Sequence, residues 1–117
     1  MDLIEISKRI EDKEQLLIKW RKSLDKYGDD MAEGQANYDL KLGTTLMALR
    51  NDREFELEGE KIKNPPVSIM DKVAKGICWK EKLEMSKTEN LYRNAQTKMR
   101  AIQGELNALQ TIHKHLD

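Results

Sequence analysis

The sequence predicts an all-α protein, on three observations. The stretch from Trp79 to Leu116 contains no proline and one glycine. Along it Met85, Thr88, Tyr92, Ala95, Met99, Ile102, Leu106, Leu109, His113 and Leu116 recur at alternating intervals of three and four, which keeps one seam of a helix facing a partner. The N-terminal segment repeats that spacing in Leu3, Ile6, Ile10, Lys13, Leu17, Trp20, Leu24 and Tyr27. Hydrophobic residues make up 38% and charged residues 36%, the balance of amphipathic helices with solvated outer faces.

Taken in order, the first element is a helix to about Tyr27. Leu16 and Ile18 broaden its apolar face, and Lys13 fits the stripe by snorkelling. Tyr27-Gly28-Asp29-Asp30 predicts a break, because glycine closes helices and aspartate caps them, and Asp30 with Glu33 has the spacing of a capping box. A second helix then runs from Met31 to Arg53 with Gln35, Tyr38, Leu42, Thr45, Leu46 and Leu49 inside. Residues 1–53 thus form a helical hairpin, with Trp20 facing Leu42 or Leu46. Gly34 and Gly43 each cost the second helix up to about 1 kcal/mol and let the first approach closely.

Residues 54–67 read as a loop with at most a short extended piece, since Phe55 and Leu57 alternate with charges, Gly59 interrupts, and Asn64-Pro65-Pro66 ends any regular element. Ser68 with Asp71 opens a short helix through Ile69, Met70, Val73 and Ile77. It either kinks at Gly76 or continues into the long C-terminal helix, so that 68–117 completes a single helical domain over 1–117. A helix from Trp79 to Leu116 would be about 55 Å long at 1.5 Å per residue. A compact domain of this size has a radius of gyration of about 13 Å. The apolar seam is therefore expected to meet another chain, with Tyr92, Met99, Ile102, Leu106, Leu109 and Leu116 at a homo-oligomer interface.

Twenty-one basic and 21 acidic side chains cancel, but residues 1–58 carry a net of −4 and residues 59–117 a net of +4. Either interhelical charge pairing or a basic surface for a polyanion accounts for this asymmetry. The lone cysteine, Cys78, lies between Ile77 and Trp79 as a small buried hydrophobe and excludes an internal disulfide. No apolar run approaches the roughly 20 residues of a membrane span, and Met-Asp-Leu-Ile-Glu does not read as a leader, so a soluble cytoplasmic protein is expected.

Catalysis needs converging groups, and the pattern offers few. His113 and His115 are two apart on a helix and point in different directions, and no phosphate loop, nucleophile elbow or dinucleotide fingerprint occurs. The expectation is a non-enzyme without cofactor or metal. Binding has better candidates. Arg50 and Arg53 end the second helix, where cations also suit the helix dipole, and Lys61, Lys63, Lys72 and Lys75 follow. If these converge on one edge, repetition around an oligomer would give a track for a phosphate backbone.

Trp20 in Ile18-Lys19-Trp20, Leu46-Met47-Ala48-Leu49-Arg50 closing the second helix, and Thr111-Ile112-His113-Lys114-His115 near the end give a layout that resembles the UvsY-type phage recombination mediators. The resemblance covers nearly the whole chain, in pattern. It implies single-stranded DNA binding, ring formation and help to a recombinase in displacing single-strand-binding protein, in the cytoplasm of a bacterial host and with no catalytic residue or cofactor. It places Arg50 in the stretch matching the family's DNA-contacting element. Met47-Ala48-Leu49 lacks that element's charges, so Arg53 or the later lysines would have to supply them. The expected function is an oligomeric single-stranded-DNA-binding accessory of phage recombination or replication. The alternative is a protein-binding helical adaptor or inhibitor, which zero net charge favours.

Overall fold

The computed structural model describes residues 2–116. The elements in order are α1 (Leu3–Arg50), β1 (Phe55–Leu57), β2 (Glu60–Ile62), a 3₁₀ turn over Val67–Ile69, α2 (Met70–Ile77) and α3 (Trp79–Leu116). The fold is all-α apart from the small hairpin of β1 and β2.

Helix α1 starts on a side-chain cap. The Asp2 carboxylate accepts the Glu5 backbone N–H at 2.8 Å, satisfying a donor with no partner inside the helix. The expected break at 27–30 does not occur, so residues 1–53 hold one helix and no helical hairpin. The reason is that the apolar stripe does not stop at Tyr27. Leu24, Tyr27, Met31, Gly34 and Tyr38 keep the three-four alternation, and burying a continuous stripe outweighs about 1 kcal/mol for a glycine inside a helix. Termination comes at Arg50 by hydrogen bonding. Arg53 N–H donates to Ala48 O at 3.0 Å and Asp52 N–H to Leu49 O at 3.3 Å, with Asp52 at φ 60°, the pattern of a Schellman cap.

The chain divides into two compact units that do not follow chain order. The first joins residues up to 29 with those from 89 onward. Here the start of α1 and the end of α3 run antiparallel: Lys13 is ion-paired with Glu105, while the Lys98 ammonium lies 5.2 Å from the centroid of the Trp20 ring. Leu17, Ile102 and Leu106 form the core, with Ile10, Leu16 and Trp20 packed against it. Trp20 therefore packs on the α3 side, not on Leu42 or Leu46. At Gly28 the helices come close enough that a Cβ would sit 3.4 Å from Cε2 of Tyr92.

The second unit is Asp30–Thr88. Tyr38, Cys78 and Met85 form one cluster, with Leu42 against it. Leu49, Met70 and Ala74 form another, covered by Leu46, Phe55 and Ile62 among others. Gly34 does serve close approach, but to α3: a Cβ there would meet Thr88 Oγ1 at 3.0 Å and the Met85 Cα at 3.4 Å. Gly43 faces open space. Cys78 is fully buried, its sulfur 3.5 Å from Thr45 Oγ1. Helices α2 and α3 are separate, and the interruption falls at Cys78 (φ −89°, ψ 21°) instead of Gly76. Backbone hydrogen bonds from Cys78 to Ala74 and from Lys82 to Cys78 bridge the change of direction.

Where a loop was expected, β1 and β2 pair antiparallel with Phe55 opposite Ile62, Glu56 opposite Lys61 and Leu57 opposite Glu60. Two residues close the hairpin, Glu58 at φ 51° and Gly59 at φ 80°, both left-handed as a type I′ turn requires. Phe55, Leu57 and Ile62 are half-buried and Glu56 and Lys61 exposed, so the alternation of apolar and charged residues was a strand period. Its shortness hid it.

Two stability measurements test this fold. Asp52→Gly should raise the free energy of unfolding by about 0.5–1 kcal/mol, because glycine adopts the left-handed cap position without a Cβ penalty. Ile102→Ala should lower it by about 2–4 kcal/mol. Chemical denaturation at two protein concentrations should return the same loss, since the partners of Ile102 lie on its own chain.

Candidate nucleic-acid interface

All six basic residues singled out from the sequence are exposed and lie in the second unit. Arg50 ends α1, Arg53 follows its cap, Lys61 is on β2, Lys63 just beyond it, and Lys72 and Lys75 are on α2. Along the chain they are matched by acids. The stretch 50–75 that holds them also holds Asp52, Glu54, Glu56, Glu58, Glu60 and Asp71, six carboxylates to six cations. The hairpin brings opposite signs together: Lys61 Nζ is 3.8 Å from a Glu54 carboxylate oxygen, and Glu56 stands across the ladder from Lys61. A phosphate approaching here would lose to carboxylate repulsion much of what it gains from the lysines.

The antiparallel pairing in the first unit builds a more basic surface. Residues 19–26 of α1 carry Lys19, Arg21, Lys22 and Lys26 against one acid, Asp25, and residues 93–100 of α3 carry Arg93, Lys98 and Arg100 with none. The Trp20–Lys98 and Gly28–Tyr92 approaches place these two segments side by side. All seven cations are exposed, and Trp20, Tyr27 and Tyr92 lie half-buried among them. The result is a belt around the helix pair with a net of +6 over 16 residues. On one side it borders an open groove lined by Lys13, Leu16 and Trp20 from α1 and by Lys98, Ala101, Ile102 and Glu105 from α3. Lys19-Trp20-Arg21-Lys22 is visible in the sequence as a basic cluster around an aromatic. Its neighbour at 93–100 is 70 residues away and becomes adjacent only through folding.

Of the six residues expected at an oligomer interface, Ile102 and Leu106 have partners within the chain. Ile102 and Leu106 are buried against Leu17, while Tyr92, Met99 and Leu109 are half-buried. Leu116 is 50% exposed. For Ile102 and Leu106 the helix that covers the seam is α1 of the same chain. His113 is half-buried and His115 exposed on the last turn of α3. Among the described residues, no three histidine, cysteine or acidic side chains are grouped to hold a metal ion, and no helix is long and apolar enough to cross a membrane. No protein-family model, curated protein or solved structure matches the chain.

Proposed function

We propose that this protein is a non-catalytic accessory factor that binds single-stranded nucleic acid through the basic belt of its first unit. The observation that carries the reading is the juxtaposition of residues 19–26 with 93–100, seven cations to one acid in a chain of zero net charge. Cations neutralise backbone phosphates and release their counterions, while half-buried aromatic rings between them offer bases a stacking surface. Lys98, whose ammonium lies over the Trp20 ring, would have to turn to a phosphate for that ring to stack on a base. Work in recombination or replication, beside a recombinase or a single-strand-binding protein, is the setting implied by the resemblance to the UvsY-type mediators. The site proposed here differs from the one that resemblance implies. It lies on residues 19–26 and 93–100 of the first unit and not on the charge-balanced stretch 50–75.

A protein-binding adaptor is the second reading, favoured by the six-to-six charge balance around the hairpin, which suits a protein surface better than a phosphate backbone.

Fluorescence anisotropy with a labelled oligonucleotide at several salt concentrations separates the two. Binding to the wild type should weaken with salt, by a logarithmic slope of roughly 0.7 per phosphate neutralised. Replacing Lys19, Lys26, Arg93 and Arg100 by glutamine should cost at least about tenfold in affinity and flatten the slope by about 2–3. Arg50→Ala with Arg53→Ala should change affinity less than about threefold. Absence of binding by the folded wild type at low salt would leave the adaptor.

A further inference from the structure

Helix α1 carries a second stripe, on the side opposite the one it buries in the second unit. Glu33, Ala36, Leu40, Gly43, Met47 and Arg50 recur at intervals of three, four, three, four and three, and every one is exposed. Leu40 is 68% and Met47 63% exposed, and a Cβ built on Gly43 meets nothing within 4 Å. Isolated exposed apolar residues are ordinary, but large ones at heptad spacing on one helix face form a seam.

The order of the stripe names its occupant. It reads acidic, small, large, small, large, basic. Laid antiparallel on a second copy about a two-fold axis midway between Lys41 and Leu42, each position meets its complement: Leu40 faces Gly43, Met47 faces Ala36, and Glu33 faces Arg50. Each match occurs twice, as an isologous interface demands. The small residues leave the holes that the large ones fill, and the flanking charges pair with opposite sign. A parallel arrangement would put Leu40 on Leu40, Gly43 on Gly43, Glu33 on Glu33 and Arg50 on Arg50, leaving gaps and like charges together. We infer that the stripe Glu33–Arg50 is the contact surface of an antiparallel, two-fold dimer of this chain. This gives exposed Leu40 and Met47 a partner, and Arg50 a role within the assembly.

Sedimentation equilibrium of the full chain, with helicity followed by circular dichroism, tests the interface. The wild type should dimerise, and Leu40→Asp should raise the dimer dissociation constant at least about 100-fold with helicity unchanged, since it touches no core. Glu33→Arg and Arg50→Glu should each weaken the dimer about tenfold, and the double variant should restore it. Register is read by oxidative cross-linking: Leu40→Cys with Gly43→Cys should give a covalent dimer and Leu40→Cys alone should not, because the two copies of residue 40 are offset along the axis. A monomeric wild type, an assembly indifferent to Leu40→Asp, failure of the double charge swap to rescue, or cross-linking through residue 40 alone would each overturn the inference.

Discussion

In each unit a stretch of α1 buries one narrow stripe, Ile6 and Leu17 in the first and Tyr38, Thr45 and Leu49 in the second, and the other elements of that unit pack against it. A helix pair has no interior beyond the line of side chains between its axes, so each turn must place an apolar or very small residue on that line. In the first unit Ile6 and Leu17 do so on α1 and Ala95, Ile102 and Leu106 on α3; in the second, Tyr38 on α1 meets Met85 on α3, while Thr45 faces Cys78 and Leu49 packs on Met70 and Ala74 of α2. The glycines on α1 belong to the same constraint. A Cβ on Gly34 would stand 3.0 Å from the Thr88 hydroxyl, tighter than an ordinary contact, and one on Gly28 would stand 3.4 Å from the Tyr92 ring, at van der Waals distance. Their cost in helix propensity is offset by the contacts they permit.

In the first unit, where only two helices meet, most of each helix stays in water, and the distribution of charge is the main variable left for function. Around the hairpin of β1 and β2, cations and carboxylates alternate on short elements and cancel locally. Where residues 19–26 lie beside 93–100, two separately unremarkable segments add. The net charge of the chain is zero in both descriptions, so total charge carries little information about what such a surface binds.

The same geometry bears on assembly. The heptad seam of α3 has the period of an oligomerisation helix, but periodicity states only that a helix needs a partner, not whose chain supplies it. Here α1 supplies it for Ile102 and Leu106. Among the apolar groups that remain outside are those of the short stripe from Glu33 to Arg50, whose small and large residues lie opposite the buried face.

The sequence by itself determined the helical class, most of the apolar positions along the helices, a short helix near residue 70 and the burial of Cys78, because these follow from local spacing and side-chain polarity; Gln35, expected inside, is exposed. It misled at Gly28, where a local stop signal was outweighed by a stripe continuing through Met31, Gly34 and Tyr38. It also concealed the hairpin, whose three-residue strands are too short for a period of two to stand out. The tertiary structure alone decided which helix covers the α3 seam, that Trp20 packs beside Lys98 rather than Leu42, and that the cations of 19–26 and 93–100 share one belt. Each is a matter of pairing between segments far apart in the chain, which no local window of sequence carries.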